Sequence, residues 1–177
     1  FGMARNRAFE VLYREFYARV FGLCRRLLNS PELAEDATQE TFMRAYKNFE
    51  KFDAEQPFWQ WIATIANNHC LDKLRARHRT EHLFGDESEE LENLTSTESS
   101  QAHRLIATED IAALNNAVIK LSDKYRVPLV LVYYNQLSYD EVAKQLSIIV
   151  SHVGVLLLRA KKQVRAALEA ANMEHGS

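Results

Sequence analysis

Residues Leu137–Leu168 read LSYDEVAKQLSIIVSHVGVLLLRAKKQVRAAL, and their spacing decides the fold of the C-terminal half. Ser138 and Glu141 stand in the Ser-x-x-Glu arrangement of a capping box, in which each side chain satisfies a backbone N–H at a helix start. Leu137, Val142, Ala143 and Leu146 then fall on one side of a short helix. A turn of three or four residues follows, and a long helix after it. The small Ala143 stands where two helices must approach closely, which is helix-turn-helix spacing. The second helix is odd for that motif. It opens His152-Val153-Gly154-Val155-Leu156-Leu157-Leu158, and its bases, Arg159, Lys161, Lys162 and Arg165, come only later. Val153 and Leu157 are predicted to face the core, with Leu156 and Leu158 on other sides.

Upstream, SDKYRVPLVLVYY (Ser122–Tyr134) has Ser122 as a helix N-cap. Its apolar run could pass for a buried strand, but both neighbours are helical and it is read as a helix. Ile106, Ile111, Leu114, Val118 and Leu121 recur at helical spacing, so residues 105–172 form a small helical bundle.

The N-terminal residues 4–79 form another. Phe9, Leu12, Tyr13, Phe16, Val20, Cys24 and Leu27 share one helix face. In NSPELAEDATQETFMRAYKNF, Ser30 caps a second helix with Pro31 at its first position. A third helix runs from Phe58 to Arg77 with Trp61, Ile62, Ile65, Ala66, Leu71 and Leu74 on its apolar side.

Residues 80–104 join the two as an acidic linker, mostly without a core of its own. Between Arg79 and Arg104 there is no Lys or Arg but there are seven acids; subtracting this −7 from the net charge of −2 leaves +5 for the rest. Cations cluster at Lys73-Arg75-Arg77-Arg79 and around Arg159-Lys161-Lys162-Arg165, a distribution that suits nucleic acid despite the acidic sum. The expected fold is therefore all-α: two small helical bundles, an acidic linker, and a helix-turn-helix in the second bundle.

The hydrophobic share of 47% fits a globular chain. No run of eighteen apolar residues is present and no signal peptide opens the chain, so no membrane insertion and a cytoplasmic location are expected. Cys24 and Cys70 lie in apolar helical patterns and read as buried thiols rather than a disulfide.

AEDATQETFMRAY (Ala34–Tyr46), followed by FWQWIATIANNHCLDKLRAR (Phe58–Arg77), and then LSYDEVAKQL with RAKKQVRAAL, resembles the bacterial RNA polymerase sigma factors of the extracytoplasmic-function (ECF) group of the sigma-70 family. The resemblance covers roughly Phe9 to Leu168. It implies that residues 4–79 bind core polymerase and melt the −10 element, and that residues 105–172 contact the −35 element. The implied partners are core RNA polymerase (the largest-subunit coiled coil and the flap), promoter DNA and an anti-sigma factor.

Each implied site also has a physical reading. Asp36, Gln39 and Glu40 share a helix face; with Glu35 they make an acidic and amide surface, which the resemblance assigns to the polymerase coiled coil, while a solvated face is the bland alternative. Phe42 fits core and contact equally. Aromatics, amides and a basic tail after Phe52 suit melted DNA, because unpaired bases stack on rings and Asn68 both donates and accepts. By resemblance Phe52 and the loop through Gln56 capture a flipped base, with Ile65 and Asn68 completing the pocket; Arg75 and Arg77 neutralise phosphates. Trp61 reads as core, Trp59 as either, and Asn67 as a polar surface residue.

The last helix departs from the family, which has Thr-Val-Lys-Ser-Arg-Leu where this chain has His152–Leu157. Direct readout wants Arg, Lys, Asn or Gln. Ser147 replaces a family Gly in the turn, Ile149 occupies a cap position, and Ser151 is predicted to cap one turn later. Ser151, His152, Val155, Arg159, Lys161 and Lys162 remain as −35 contacts, His152 and the cations toward phosphates and Val155 toward a thymine methyl. The apolar start of the helix is equally readable as a protein surface for an anti-sigma factor or a second copy.

An enzyme is not expected. The sequence has no Gly-rich phosphate loop, no Cys or His cluster at metal spacing and no nucleophile elbow; His69-Cys70 is isolated, and Glu35, Asp36 and Glu40 lack a Glu-x-x-His partner. No metal and no cofactor are expected. The alternative functions are a helix-turn-helix regulator working without polymerase and a protein that sequesters anti-sigma factors.

Overall fold

A computed structural model of the chain describes residues 2–78, 83–85 and 108–176. Arg79, Ile106 and the acidic linker apart from 83–85 lie outside the described residues.

The N-terminal bundle packs α1 (Gly2–Leu28), α2 (Pro31–Lys47) and α3 (Phe58–Arg77), with a 3-10 turn at Phe49–Lys51. The α2 start is as expected: Pro31 opens it and the Ser30 hydroxyl accepts from the Leu33 N–H at 3.3 Å. Val20, Leu23, Cys24 and Leu27 of α1 meet Ile62, Ala66, Cys70 and Leu74 of α3, all fully buried. Both cysteines are free thiols; the hydrogen bond to Cys24 and then burial push the Cys70 thiol far up, so it stays protonated. Tyr13 departs from the predicted stripe. It sits at the stripe's edge, 38% exposed, with its ring against Phe42.

The C-terminal bundle comprises α4 (Thr108–Ile119), α5 (Asp123–Tyr133), α6 (Tyr139–Leu146) and α7 (Val150–His175). The capping box is formed in full: Glu141 accepts from the Ser138 N–H at 2.8 Å and Ser138 from the Glu141 N–H at 3.2 Å. Ser122 occupies the N-cap of α5, but its side chain makes no cap bond.

Three expectations fail here. Leu156 is fully buried beside Val153 and Leu157, because α7 is clasped from three sides by α4, α5 and α6 and its core stripe is wider than one heptad seam. Ile111 is 47% exposed, since α4 turns Leu114 and Ala117 inward instead. Ser151 is not a cap: α7 starts at Val150, with Ile149 extended before it and no side-chain cap bond. The three-residue turn closes through Ser147, whose φ of 57° and ψ of 44° are left-handed without a glycine.

The linker reading also changes where it is described. Phe84 is 5% exposed and Leu83 packs beside the core, so this short piece of 80–104 is anchored.

The two bundles dock end to side. Arg126 of α5, 1% exposed, donates to the carbonyls of Arg26 (2.7 Å) and Leu27 (3.1 Å) at the end of α1, to Leu121 (2.6 Å) and to Asp123. It supplies donors to carbonyls that a helix C-terminus leaves without an intrahelical partner. Asp123 also meets His78 at 2.7 Å and Arg77 at 3.8 Å at the end of α3. Tyr134 donates to the Arg19 carbonyl at 3.3 Å and lies under the Arg26 guanidinium, in a space left open by Gly22.

Among the described residues no single helix is long and apolar enough to cross a membrane. Only α6 and α7 together pass, bent by 99°, and their apolar residues fill the core.

Candidate functional site

On α2, Ala34, Ala37, Thr38, Thr41 and Phe42 point inward, so the helical period leaves Glu35, Asp36 and Gln39 exposed and Glu40 partly exposed on another side. The two buried threonines donate back to Ala34 and Ala37 carbonyls at 2.6 and 2.7 Å, which satisfies their hydroxyls within the helix. Glu40 accepts from Arg44 at 2.7 Å, and that bond holds its carboxyl below the usual value. Phe42 is core, at 3% exposed. Beside Gln39 an open groove of about 430 Å³ runs between α1 and α2, floored by Phe9 and Phe42.

A second concavity, about 350 Å³, is lined by Arg44, Asn48, Lys51, Trp61, Ile65 and Asn68. Ile65 and Asn68 are thus brought together, on successive turns of α3. Arg44, Asn48 and Lys51 escaped the sequence reading; the i, i+4 spacing of Arg44 and Asn48, with Lys51 one turn later, was the available signal. Asn48 donates to the Arg44 carbonyl at 2.9 Å, which ties the end of α2 to this wall. Phe52 stands behind the concavity rather than in it. Its ring stacks on Phe49 at 6.0 Å, meets Phe58 edge-on at 5.4 Å and supports Trp61 at 5.0 Å. Trp61 is accordingly half core and half wall.

Asn67 corrects its surface reading: it is 1% exposed, on the same side of α3 as Ala63, Ala66 and Cys70, and its Oδ1 has no hydrogen-bond partner among the described residues. Trp59 is neither core nor free. Arg19 covers its face at 3.8 Å and Tyr134 of the other bundle meets its edge. His69 is half-buried, and burial, then Arg44 and Lys73, lower its pKa, which favours the neutral ring.

Arg75 and Arg77 are both occupied by the second bundle. Arg75 donates to the Gln145 carbonyl at 2.5 Å and lies 3.7 Å from Asp72; Arg77 faces Asp123. On α7, Ser151 and Lys162 are exposed, while Val155 and Arg159 are partly so. Lys161 sits over the Tyr133 ring at 5.0 Å. His152 is less available than its sequence suggested: it is half-buried and its Nε2 is enclosed, without a hydrogen-bond partner among the described residues. Among the described residues no three His, Cys, Asp or Glu side chains are grouped to hold a metal.

Residues 12–80 match the family described as Sigma-70 region 2, and residues 111–164 match Sigma-70, region 4. The chain is 30% identical over 167 residues to the ECF RNA polymerase sigma factor SigW of Bacillus subtilis, covering 91% of this chain and 89% of that one. It is 27% identical over 175 residues to the RNA polymerase sigma-H factor of Pseudomonas aeruginosa, covering 93% and 88%. In fold it is similar to the sigma factor RpoE solved in complex with the anti-sigma factor NepR from Bartonella quintana, with a TM-score of 0.58, 20% identity, and coverage of 92% of this chain and 97% of that one. The two helical bundles, the helix-turn-helix and these matches define an RNA polymerase sigma factor. The chain belongs to the ECF group of the sigma-70 family.

Proposed function

We propose that this sigma factor directs core RNA polymerase to promoters by capturing a melted −10 base in the concavity that joins Ile65 and Asn68 to Arg44, Asn48 and Lys51. That concavity carries the reading. It combines an apolar wall for a base face (Ile65, Trp61), an amide that both donates and accepts, and cations for the flanking phosphates. The exposed Glu35, Asp36 and Gln39 and the partly exposed Glu40 lie on the neighbouring helix and suit a basic coiled coil of the largest polymerase subunit. Arg75 and Arg77 continue the track along duplex phosphates once the second bundle swings away.

The second bundle is proposed to meet the polymerase flap and the −35 element, with Ser151, His152, Val155, Arg159, Lys161 and Lys162 on or beside the DNA face. An anti-sigma factor is the proposed regulator, because the similar RpoE fold is held by one. A role in sequestering such factors without initiation has less support, since the concavity and the acidic face would then have no use. Transcription of fragmented host DNA by core polymerase, with RNA 5′ ends mapped with and without this chain, tests the proposal. New, sharp starts sharing a −10 sequence are expected; unchanged starts overturn it.

A further inference from the structure

The outward stripe of α7 is what the core of the second bundle leaves unexplained. Val153, Leu156, Leu157, Ala160 and Val164 occupy the buried side. At 3.6 residues per turn the opposite side carries Ser151, Val155, Leu158 and Lys162. Ser151 and Lys162 are exposed, and Val155 and Leu158 are partly exposed. At the helix tip Ile149 and Val150 are 67% and 41% exposed. Gly154 lies beside the stripe; a Cβ there would meet nothing within 4 Å, so no neighbour in the fold demands glycine.

The charge around this stripe selects its partner. From Val150 to Leu168 the helix has the cations Arg159, Lys161, Lys162 and Arg165 and no acid, which fits a polyanion better than the apolar face of another protein. In the major groove, guanine, adenine and cytosine present hydrogen-bonding groups, whereas thymine also presents a C5 methyl group. Apolar side chains complement that methyl and little else there.

We infer that Val155 and Leu158, framed by Ser151 and Lys162, recognise thymine methyl groups on adjacent base pairs of duplex DNA. The two side chains are about 4.5 Å apart along the helix axis, near the roughly 3.4 Å base step. The bare backbone at Gly154 lets the helix sit deep, and Lys162, roughly 10 Å along the axis from Val155, reaches a phosphate. This rests on the reading of α7 as a DNA-contacting helix and names the chemistry it reads.

The test selects duplexes with twenty randomised base pairs on the full-length chain bound to core polymerase, then replaces each thymine in the enriched duplexes with deoxyuridine, which removes only the methyl. Binding is expected to weaken about fourfold at each contacted thymine. The double variant V155S/L158Q should bind the thymine and deoxyuridine duplexes equally, and each single variant should lose methyl dependence at one thymine only. Enrichment without loss on deoxyuridine, enrichment of guanine-centred sites, or no enrichment overturns the inference. Mapping of RNA 5′ ends separates this from the sigma reading: new starts without methyl dependence sink only the methyl contacts, and methyl dependence without new starts sinks only the initiation role.

Discussion

Arg126 of α5 donates to the Arg26 carbonyl of α1 at 2.7 Å, so the guanidinium of one bundle finishes a helix of the other. Burial lowers the Arg126 pKa, opposed by its bond to Asp123, yet a guanidinium keeps its proton. The contact therefore remains a charged one, with four acceptors around a buried cation.

Arg126→Met removes that cation and leaves the α1 carbonyls without its donors. A loss of about 3 kcal/mol is expected, which for a chain of this size is roughly 6–12 °C in Tm. Scanning calorimetry should also split one transition into two, one for each bundle. A single unshifted transition would remove the docking role.

Burial raises the Asp123 carboxyl, but His78, Arg126 and Arg77 outweigh it and hold the pKa below its ordinary value. A depressed acid stabilises the folded state above the unfolded value, about 3.9, and loses that contribution as pH falls through the folded value. Docking should thus be constant with respect to this group near neutrality and weaken only in acid below about pH 4. Asp123→Asn should flatten that acid limb; unfolding midpoints followed by Trp59 fluorescence against pH check it.

Asp36→Arg should reduce binding to core polymerase by at least tenfold, because it places a cation on the proposed acidic grip, while leaving Tm within about 1 °C since the residue is exposed. Pull-down with core polymerase and a melting curve read both arms. Unchanged binding would reassign this face to solvent.

Asn68→Ala should slow promoter opening about tenfold, the worth of roughly one hydrogen bond to a captured base, with core binding unchanged. Permanganate reactivity of the melted strand measures opening. Equal losses in opening and core binding would count against the base pocket.

Ser147→Gly should raise stability by about 1 kcal/mol, because glycine adopts the left-handed conformation that a serine holds at some cost. Denaturant midpoints with an unchanged slope would show it.

Much of the fold was legible. The Ser30-Pro31 start, the Ser138–Glu141 box and the bounds of α3 appear in the structure as read, because they are local hydrogen-bonding and backbone signals. Leu156, Ile111 and Asn67 were misread because burial depends on how many neighbours clasp a helix, which one helix's period does not carry. For the candidate site, Asn68 and Ile65 were readable, whereas Arg44, Asn48 and Lys51 join them only through the packing of α2 on α3. The engagement of Arg75 by the Gln145 carbonyl spans seventy residues and has no local signature.

The buried Arg126 has a consequence for modularity. Region 2 and region 4 are not independent parts here, because the end of α1 is completed by a side chain from beyond the linker. A hybrid that joins this chain's first bundle to a relative's second inherits an unfinished helix unless an arginine stands four residues after the Ser122 cap. Compatibility of exchanged halves is thus decided at one guanidinium, buried at the seam between the bundles.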